Sequence, residues 1–220
     1  MSAKDLKRRL SAIMITDVKD FARLMRDDET ATVRTLNVYK GVMEGLTGQY
    51  YGRVVDSPGD NMLVEFMSAL NAVQCAVAVQ NELKYRNDEL PCHRRMAFRI
   101  GINLGDVLVD GDRIYGDGVN ITARLKDLAE SGGICISRAI HDQVEDKLTF
   151  AYQYLGQKTL KNINKPVSVF KVLKERRKIS QGSVFEHHDR LLGQDFMSGF
   201  FEKWSRRSGS MKLLNLLPDR

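Results

Sequence analysis

The sequence predicts an α+β domain with a ferredoxin-like βαββαβ core and a C-terminal αβ extension. Three observations support this fold class. Short apolar runs that suit buried strands alternate with longer segments of helical spacing. A turn rich in Pro, Gly, Asp and Asn at residues 56–61 joins two of these runs into a hairpin. The chain has 220 residues, 43% of them hydrophobic, which is enough to form a core without disulfides or a structural metal.

The first half of the chain supplies the elements in the order β-α-β-β-α-β. Residues 10–16 are a short apolar run and predict a buried strand, which Asp17 ends. Residues 20–49 carry apolar side chains at helical spacing. Strands at 53–55 and 62–66 flank the turn, and a helix with an Ala/Val face follows at 68–86. This order is that of a split βαβ sheet.

The second half completes the core and extends it. The remaining predicted elements are strands at 96–104 and 107–109, a helix at 119–128, a strand at 134–137, a helix at 140–144 and a final strand at 167–173. We therefore expect one domain over residues 1–173. Residues 174–220 form a basic, partly apolar extension, which we expect to pack on the core or on a partner chain.

Composition and charge exclude several classes of protein. The net charge is +6, and residues 174–220, with ten basic and six acidic side chains, carry +4 of it. The nearly neutral remainder argues against a nucleic-acid-binding protein. No apolar stretch approaches the roughly 18 residues of a membrane span, and the first residues lack the apolar core of a signal peptide. The three widely spaced cysteines indicate reduced thiols, so the cytoplasm is the expected compartment.

Two aspartates occupy positions where a ferredoxin-like sheet would bring them together. Asp17 ends the first strand, and Asp60 lies in the hairpin turn. The first strand is central in such a sheet and neighbours one strand of that hairpin. Paired carboxylates on rigid supports suit two divalent cations and a polyphosphate. Taken singly, Asp17 also fits a helix N-cap and Asp60 an ordinary turn residue.

A second group of polar side chains lies in the segment GDGVNITAR at residues 116–124. Asn120 and Arg124 are four residues apart and share one face of the predicted helix. An amide and a guanidinium on one face can hold a ribose oxygen and a phosphate oxygen. The alternative is a surface helix with a solvated arginine.

Four separated segments resemble the hallmark motifs of the class III nucleotidyl cyclases. They are IMITDVKDFARLM, SPGDNMLVEF, RIGINLGDVLV and IYGDGVNITARL, in the family's order and spacing. The resemblance covers about residues 8–173. It implies the class III cyclase fold, a head-to-tail homodimer with sites at the interface, and conversion of a nucleoside triphosphate to a 3′,5′-cyclic nucleotide plus pyrophosphate.

The resemblance also implies a ligand set. Asp17 and Asp60 would bind two Mg²⁺ or Mn²⁺ ions, with the backbone carbonyl of Val18 as a further ligand. Backbone amides at residues 19–21, ending at Phe21, would hold phosphates at a helix start. Lys161 matches a lysine that reaches the terminal phosphates.

The transition-state residues come from the other chain of the implied dimer. Asn120 would orient the ribose, and Arg124 would stabilise charge at the α-phosphate. The aspartates of one chain face Asn120 and Arg124 of its mate, so a twofold pair has two equivalent sites.

The positions that choose the base in this family depart from the adenylyl pattern, which has a lysine and then an acid or threonine. Here they hold Asp56, an acceptor, and Arg113, a donor. Uracil, guanine and cytosine all fit such a pair, and adenine fits if the two residues exchange roles. A long Arg113 takes space that a purine would use, and Tyr50, before the strand bearing Asp56, would add bulk.

These substitutions resemble the pyrimidine cyclases of bacterial antiphage defence (Pycsar systems). The resemblance implies a uridylate cyclase that makes cyclic UMP as a defence signal read by a separate effector protein. Guanylate or adenylate cyclase activity in ordinary signalling, and a catalytically silent cyclase-like module, are the alternatives.

Overall fold

A computed structural model describes the backbone of residues 7–176 and the side chains of residues 7–173. The strands are β1 (Lys7–Val18), β2 (Gly52–Asp56), β3 (Met62–Phe66), β4 (Phe98–Asp110), β5 (Arg113–Tyr115), β6 (Ile134–Ser137), β7 (Phe150–Lys158) and β8 (Val167–Arg176). The α-helices are α1 (Phe21–Asp27), α2 (Glu29–Gln49), α3 (Ala69–Asp88), α4 (Asp117–Leu128) and α5 (Arg138–Val144). Most of the predicted C-terminal extension lies outside the described residues, so its packing stays a prediction.

The strands form one sheet in the order β2-β3-β1-β4-β6-β8-β7, with β5 paired to β4. β1 runs antiparallel to both of its neighbours, β3 and β4. The first four strands thus have the order 2-3-1-4 of a ferredoxin-like core, and the predicted α+β fold is confirmed. β4 and β6 are parallel, and β7 and β8 form a hairpin at the far edge.

The two faces of the sheet carry different layers, and β1 shows how the sequence divides between them. Ala12 and Met14 belong to the main core, which includes buried side chains of α2, α3 and α5. Ile13 and Ile15 belong to a smaller core that Val119 and Ala123 of α4 complete. Because side chains alternate along a strand, Asp17 faces the side of the sheet that carries α4.

The structure divides one predicted helix into two and joins two predicted strands into one. The predicted helix at 20–49 is two helices, because Asp28 adopts an extended conformation between them and its side chain accepts a hydrogen bond from the amide of Ala31 at 2.9 Å. This is an N-cap, which begins α2. The strands predicted at 96–104 and 107–109 are one strand, β4, because Gly105 and Asp106 keep their pairing with β1.

Sequence reasoning missed β5 and β7. β5 is only three residues long, and β7 lies at the sheet edge, where its side chains are exposed or half-buried. Neither has the buried run that predicts a strand. β8 continues to Arg176, three residues past the predicted domain end at residue 173.

A buried carboxylate ties the first three strands together. Glu65 on β3 is 4% exposed and accepts hydrogen bonds from Arg9 at 2.9 and 2.6 Å, from Ser11 at 2.7 Å and from Arg53 at 2.7 Å. Burial works against the charged form, but these hydrogen bonds prevail and hold the pKa of Glu65 below its usual value. The network fixes the hairpin against β1.

The three cysteines are free thiols. Burial raises the pKa of Cys75 to about 12 and that of Cys135 to about 11, whereas Cys92 is exposed. Among residues 7–176, no helix is both long and apolar enough to cross a membrane.

Candidate active site

Asp17 stands at the end of β1, with both of its carboxylate oxygens engaged. It is 7% exposed and lies opposite Arg99 in the register of β1 and β4. Arg99 donates from Nε to Oδ1 at 2.9 Å and from its terminal nitrogen to Oδ2 at 2.6 Å. The Nζ of Lys126 on α4 lies 2.8 Å from Oδ2. The hydrogen bonds to Asp17 raise the pKa of Arg99.

Asp60 reaches the same end of β1 from the β2–β3 turn. Its Oδ2 accepts a hydrogen bond from the backbone amide of Val18 at 3.2 Å, and its Oδ1 accepts one from Asn61 at 3.1 Å. Gly59 makes this turn possible with a φ of 53°, in the left-handed region that glycine tolerates. The structure thus brings Asp60 next to the residue that follows Asp17.

The start of α1 differs from the expectation for residues 19–21. The amide of Lys19 donates to the carbonyl of Ala97 at 2.9 Å, so it is already used inside the chain and is a poor phosphate donor. Asp20, with a φ of 57°, is the residue that precedes α1, and Phe21 is the first residue of the helix. The role of the Phe21 amide stays a prediction.

The helix α4 carries the two predicted transition-state residues. Asn120 is exposed, and the half-exposed side chain of Arg124 lies 3.4 Å from a carboxylate oxygen of Asp127. The first turn of α4 packs closely on the sheet, since a Cβ at Gly118 would lie 3.0 Å from the side chain of Ile13. The position of α4 is therefore set by its contact with the sheet.

Asp56 and Arg113 are electrostatic neighbours in one chain. Arg53 on β2 donates to the carbonyl of Asp112 at 2.8 Å, which connects the hairpin to the turn before β5. A hydrogen bond to Tyr115 and then the nearby carboxylate of Asp56 raise the pKa of Arg113. Both predicted base-selecting side chains are exposed.

Two predicted residues lie apart from this group. Tyr50 follows α2 and packs against the main core, and this burial raises its pKa. That packing gives Tyr50 a structural reason for its position and weakens the prediction that it narrows a base pocket. Lys161 is exposed between β7 and β8, and β8 is three strands along the sheet from β1. Its contact with phosphates stays a prediction.

A groove of about 470 Å³ opens beside the start of α4. Its lining includes Asn103, Asp106, Tyr115 and Asp117 but neither Asn120 nor Arg124. The contribution of these two side chains to a site shared with a second chain stays a prediction.

Comparison with known proteins shows which family has both this fold and these motifs. The family model described as "Adenylate and Guanylate cyclase catalytic domain" matches residues 7–174. The chain belongs to this cyclase family. A Rhizobium meliloti protein named "Putative adenylate cyclase 3" is 41% identical over 171 residues, 77% of this chain and 29% of the relative. The chain also spans only 17% of a related Myxococcus xanthus protein kinase, pkn2.

Solved cyclase structures show the same architecture. An adenylate/guanylate cyclase/hydrolase from Silicibacter pomeroyi is 34% identical, with a TM-score of 0.73 over 77% of this chain and 99% of that one. The adenylyl cyclase CyaB from P. aeruginosa, at 24% identity and a TM-score of 0.70, covers 80% of this chain and 100% of its own; it supports the fold alone. The resemblance to class III cyclases is confirmed at the level of the family, and the pyrimidine subgroup stays a prediction.

Oxygen atoms of three predicted site residues suit a divalent cation. Cyclases of this family use divalent metals, generally Mg²⁺ or Mn²⁺. The carboxylates of Asp17 and Asp60 and the carbonyl of Val18 are the hard oxygen donors that these ions prefer. The hydrogen bond from Val18 to Asp60 already holds two of these residues together. The donor set fits, on condition that Asp17 gives up at least one cationic partner.

Sequence reasoning missed the residues that neutralise Asp17. Arg99 lies in a strand between buried residues. Lys126 is itself buried, on the helix face that it shares with Thr122, Leu125 and Ala129. The signal that could have identified Lys126 is a basic residue four positions after Thr122, on the helix face that the apolar spacing predicts to be buried. Lys40 of α2 was also missed; its Nζ donates to the carbonyl of Ser57 at 2.8 Å and anchors the hairpin turn.

Proposed function

We propose that this cyclase works as a head-to-tail homodimer that converts a nucleoside triphosphate to a 3′,5′-cyclic nucleotide and pyrophosphate. The observation that carries the proposal is the hydrogen bond that holds Asp60 at the end of β1, beside Asp17. In the head-to-tail dimer that the family resemblance implies, these two carboxylates face the surface of the second chain that carries Asn120 and Arg124. Since the chain covers only part of its curated relatives, the proposal concerns the catalytic domain.

The chain's own residues divide the work. Asp17, Asp60 and the Val18 carbonyl would hold two divalent cations, which lower the pKa of the ribose 3′-hydroxyl and neutralise the triphosphate when bound. Asn120 of the second copy orients the ribose. Arg124 of the second copy stabilises the charge that develops on the α-phosphate. The 3′-oxygen loses its proton to solvent and bonds to the α-phosphorus, while the bond to pyrophosphate breaks.

For the base, we propose uracil, so that the product is cyclic UMP. The support is an acceptor, Asp56, and a donor, Arg113, on two segments that the hydrogen bond from Arg53 to the Asp112 carbonyl connects. Asp56 accepts from N3–H of uracil, and Arg113 donates to O4. The length of Arg113 favours a single ring over a purine. A use of the product in antiviral defence, through a separate effector protein, rests on the resemblance alone.

An adenylate cyclase is the second candidate. The 41% identity to the Rhizobium meliloti protein named for adenylate chemistry favours it. In that case Asp56 accepts from the adenine amino group and Arg113 donates to N1. This requires Asp56 and Arg113 to exchange the roles that the acceptor and the donor have in the adenylyl pattern.

The base is tested by incubating the full chain with Mn²⁺ and each of ATP, GTP, CTP and UTP, and by identifying products by mass. Dominant cyclic UMP supports the proposal, and Arg113→Ala should then relax the preference toward purines. Dominant cyclic AMP or cyclic GMP refutes the choice of uracil. No product from any nucleotide, with folded protein, favours a silent module.

The shared site is tested by mixing two inactive variants. Asp17→Asn and Arg124→Ala should each be inactive alone. A mixture forms heterodimers in which one of the two sites has both residues intact, so it should recover about a quarter of the wild-type activity. Asp60→Asn mixed with Asp17→Asn is the matched control and should recover none, because Asp17 and Asp60 belong to the same half-site.

A further inference from the structure

The carboxylate of Asp17 already has two cationic partners within its own chain. Three nitrogen–oxygen contacts of 2.6 to 2.9 Å reach its two oxygens, two from Arg99 and one from Lys126. The side chains of Asp17 and Lys126 are each 11% exposed, so water screens this pair little. A divalent cation at Asp17 must therefore compete with a resident positive charge.

The two cationic partners differ in how readily they can leave. Arg99 binds both oxygens with a planar fork and lies directly across from Asp17 in the sheet. Lys126 makes one contact through an ammonium on a flexible stem. Its Nζ also lies 3.3 Å from Oδ1 of Asp127, so a second acceptor is already within reach. The terminal nitrogen of Arg99 lies farther from the same oxygen, at 3.9 Å. Lys126 is therefore the partner that can shift to Asp127 with the smaller displacement.

We propose that Lys126 is a resident counter-ion of Asp17 that occupies the cation's side of the carboxylate and shifts to Asp127 when a divalent cation binds. Lys126 is thus a positioning residue that sets the affinity for the metal. The inference rests on the proposed function, because it takes Asp17 to be a metal ligand. It adds that, without the metal, the negative charge of Asp17 is already compensated by cations of its own chain.

The proposal predicts opposite effects for two neighbouring substitutions. Lys126→Met removes the competing charge while keeping most of the side-chain volume, so Mn²⁺ should bind about tenfold more tightly. Asp127→Asn keeps an acceptor oxygen but removes its negative charge, so Lys126 stays on Asp17 and Mn²⁺ should bind several-fold more weakly. Loss of packing alone would weaken binding in both variants.

The experiment titrates the full chain, without nucleotide, with Mn²⁺ and measures the free ion by electron paramagnetic resonance. Lys171→Met is the matched control, because Lys171 pairs with Glu130 at 2.6 Å, outside the candidate site. It should bind Mn²⁺ like the wild type. Unchanged or weaker binding by folded Lys126→Met overturns the proposal.

Two further measurements separate the possible failures. If Lys126→Met does not fold, Asp127→Asn decides: weaker binding supports the proposal, and unchanged or tighter binding overturns it. Asp17→Asn tests the premise in the same titration. If it binds Mn²⁺ as the wild type does, the assignment of Asp17 as a ligand fails. If it loses binding while Lys126→Met is unchanged, only the role of Lys126 fails.

Discussion

Replacing Gly101 by alanine should displace α4 from the sheet. Gly101 lies on β4 where α4 crosses it, and a Cβ there would lie 2.3 Å from the amide nitrogen of Lys126 and 2.5 Å from the carbonyl oxygen of Thr122. Ordinary contacts of this kind are about 3.5 Å. Both neighbours are backbone atoms, so no side-chain rotation relieves the overlap. The helix must shift by about 1 Å.

This shift has a cost in stability and a larger one in activity. Overpacking of this kind typically lowers the free energy of unfolding by about 1–3 kcal/mol. A misplacement of about 1 Å can reduce turnover about 100-fold, and α4 carries Asn120 and Arg124. Urea unfolding measures the first effect, and cyclic nucleotide production from the preferred triphosphate measures the second.

Gly41→Ala is the control for this substitution. Gly41 lies within α2 and has no atom within 4 Å of the position its Cβ would take. Alanine there should raise the free energy of unfolding by about 0.5–1 kcal/mol, because glycine is the poorer helix former. If Gly101→Ala is as stable and as active as the wild type, the close packing of α4 on β4 does not set the position of the site.

Two further predictions concern buried groups. Glu65→Gln should lower the free energy of unfolding at pH 7 by about 1–2 kcal/mol, whereas Glu130→Gln, whose side chain is mostly exposed, should change it by less than about 0.5 kcal/mol. Because folding lowers the pKa of Glu65, its contribution is present above the unfolded pKa and is lost as the pH falls through the folded one; equal acid sensitivity of the variant and the wild type would contradict this. A thiol reagent should modify Cys92 rapidly in the folded protein, but Cys75 and Cys135 only after denaturation; fast reaction of all three would contradict their burial.

The sequence predicted the parts of the fold that depend on local patterns. The apolar run before Asp17, the turn at Asp60 and the helix of Asn120 and Arg124 are each specified within about a dozen residues. β7 was missed because an edge strand that pairs only with β8 needs no buried face. The break at Asp28 was missed because the apolar spacing continues through an N-cap.

The electrostatics of the site could not be predicted from the same patterns. The contact of Asp17 with Arg99 depends on the register between β1 and β4, which are 82 residues apart at that pair. The contact with Lys126 depends in addition on how closely α4 approaches the sheet at Gly101. Motifs indicate which residues have a role, but register and packing decide which charges already neutralise them.

The proposed shared site and the proposed role of Lys126 both depend on residues of α4, so one experiment can test them together. In the proposed dimer, Arg124 serves the site that holds the partner's aspartates, whereas Lys126 touches Asp17 of its own chain. In a mixture of Asp17→Asn and Arg124→Ala, the active site uses Asp17 from the Arg124→Ala chain.

Adding Lys126→Met to the Arg124→Ala chain should therefore lower the Mn²⁺ concentration needed for half-maximal activity of that mixture, by about the tenfold expected for binding. The same substitution on the Asp17→Asn chain should leave it unchanged, since the chain no longer contributes a ligand to the active site. An equal effect from both chains would mean that Lys126 acts through the helix as a whole rather than through its own Asp17. An effect from the Arg124→Ala chain alone would support the counter-ion role over packing, because only a direct ion pair depends on which chain carries the substitution.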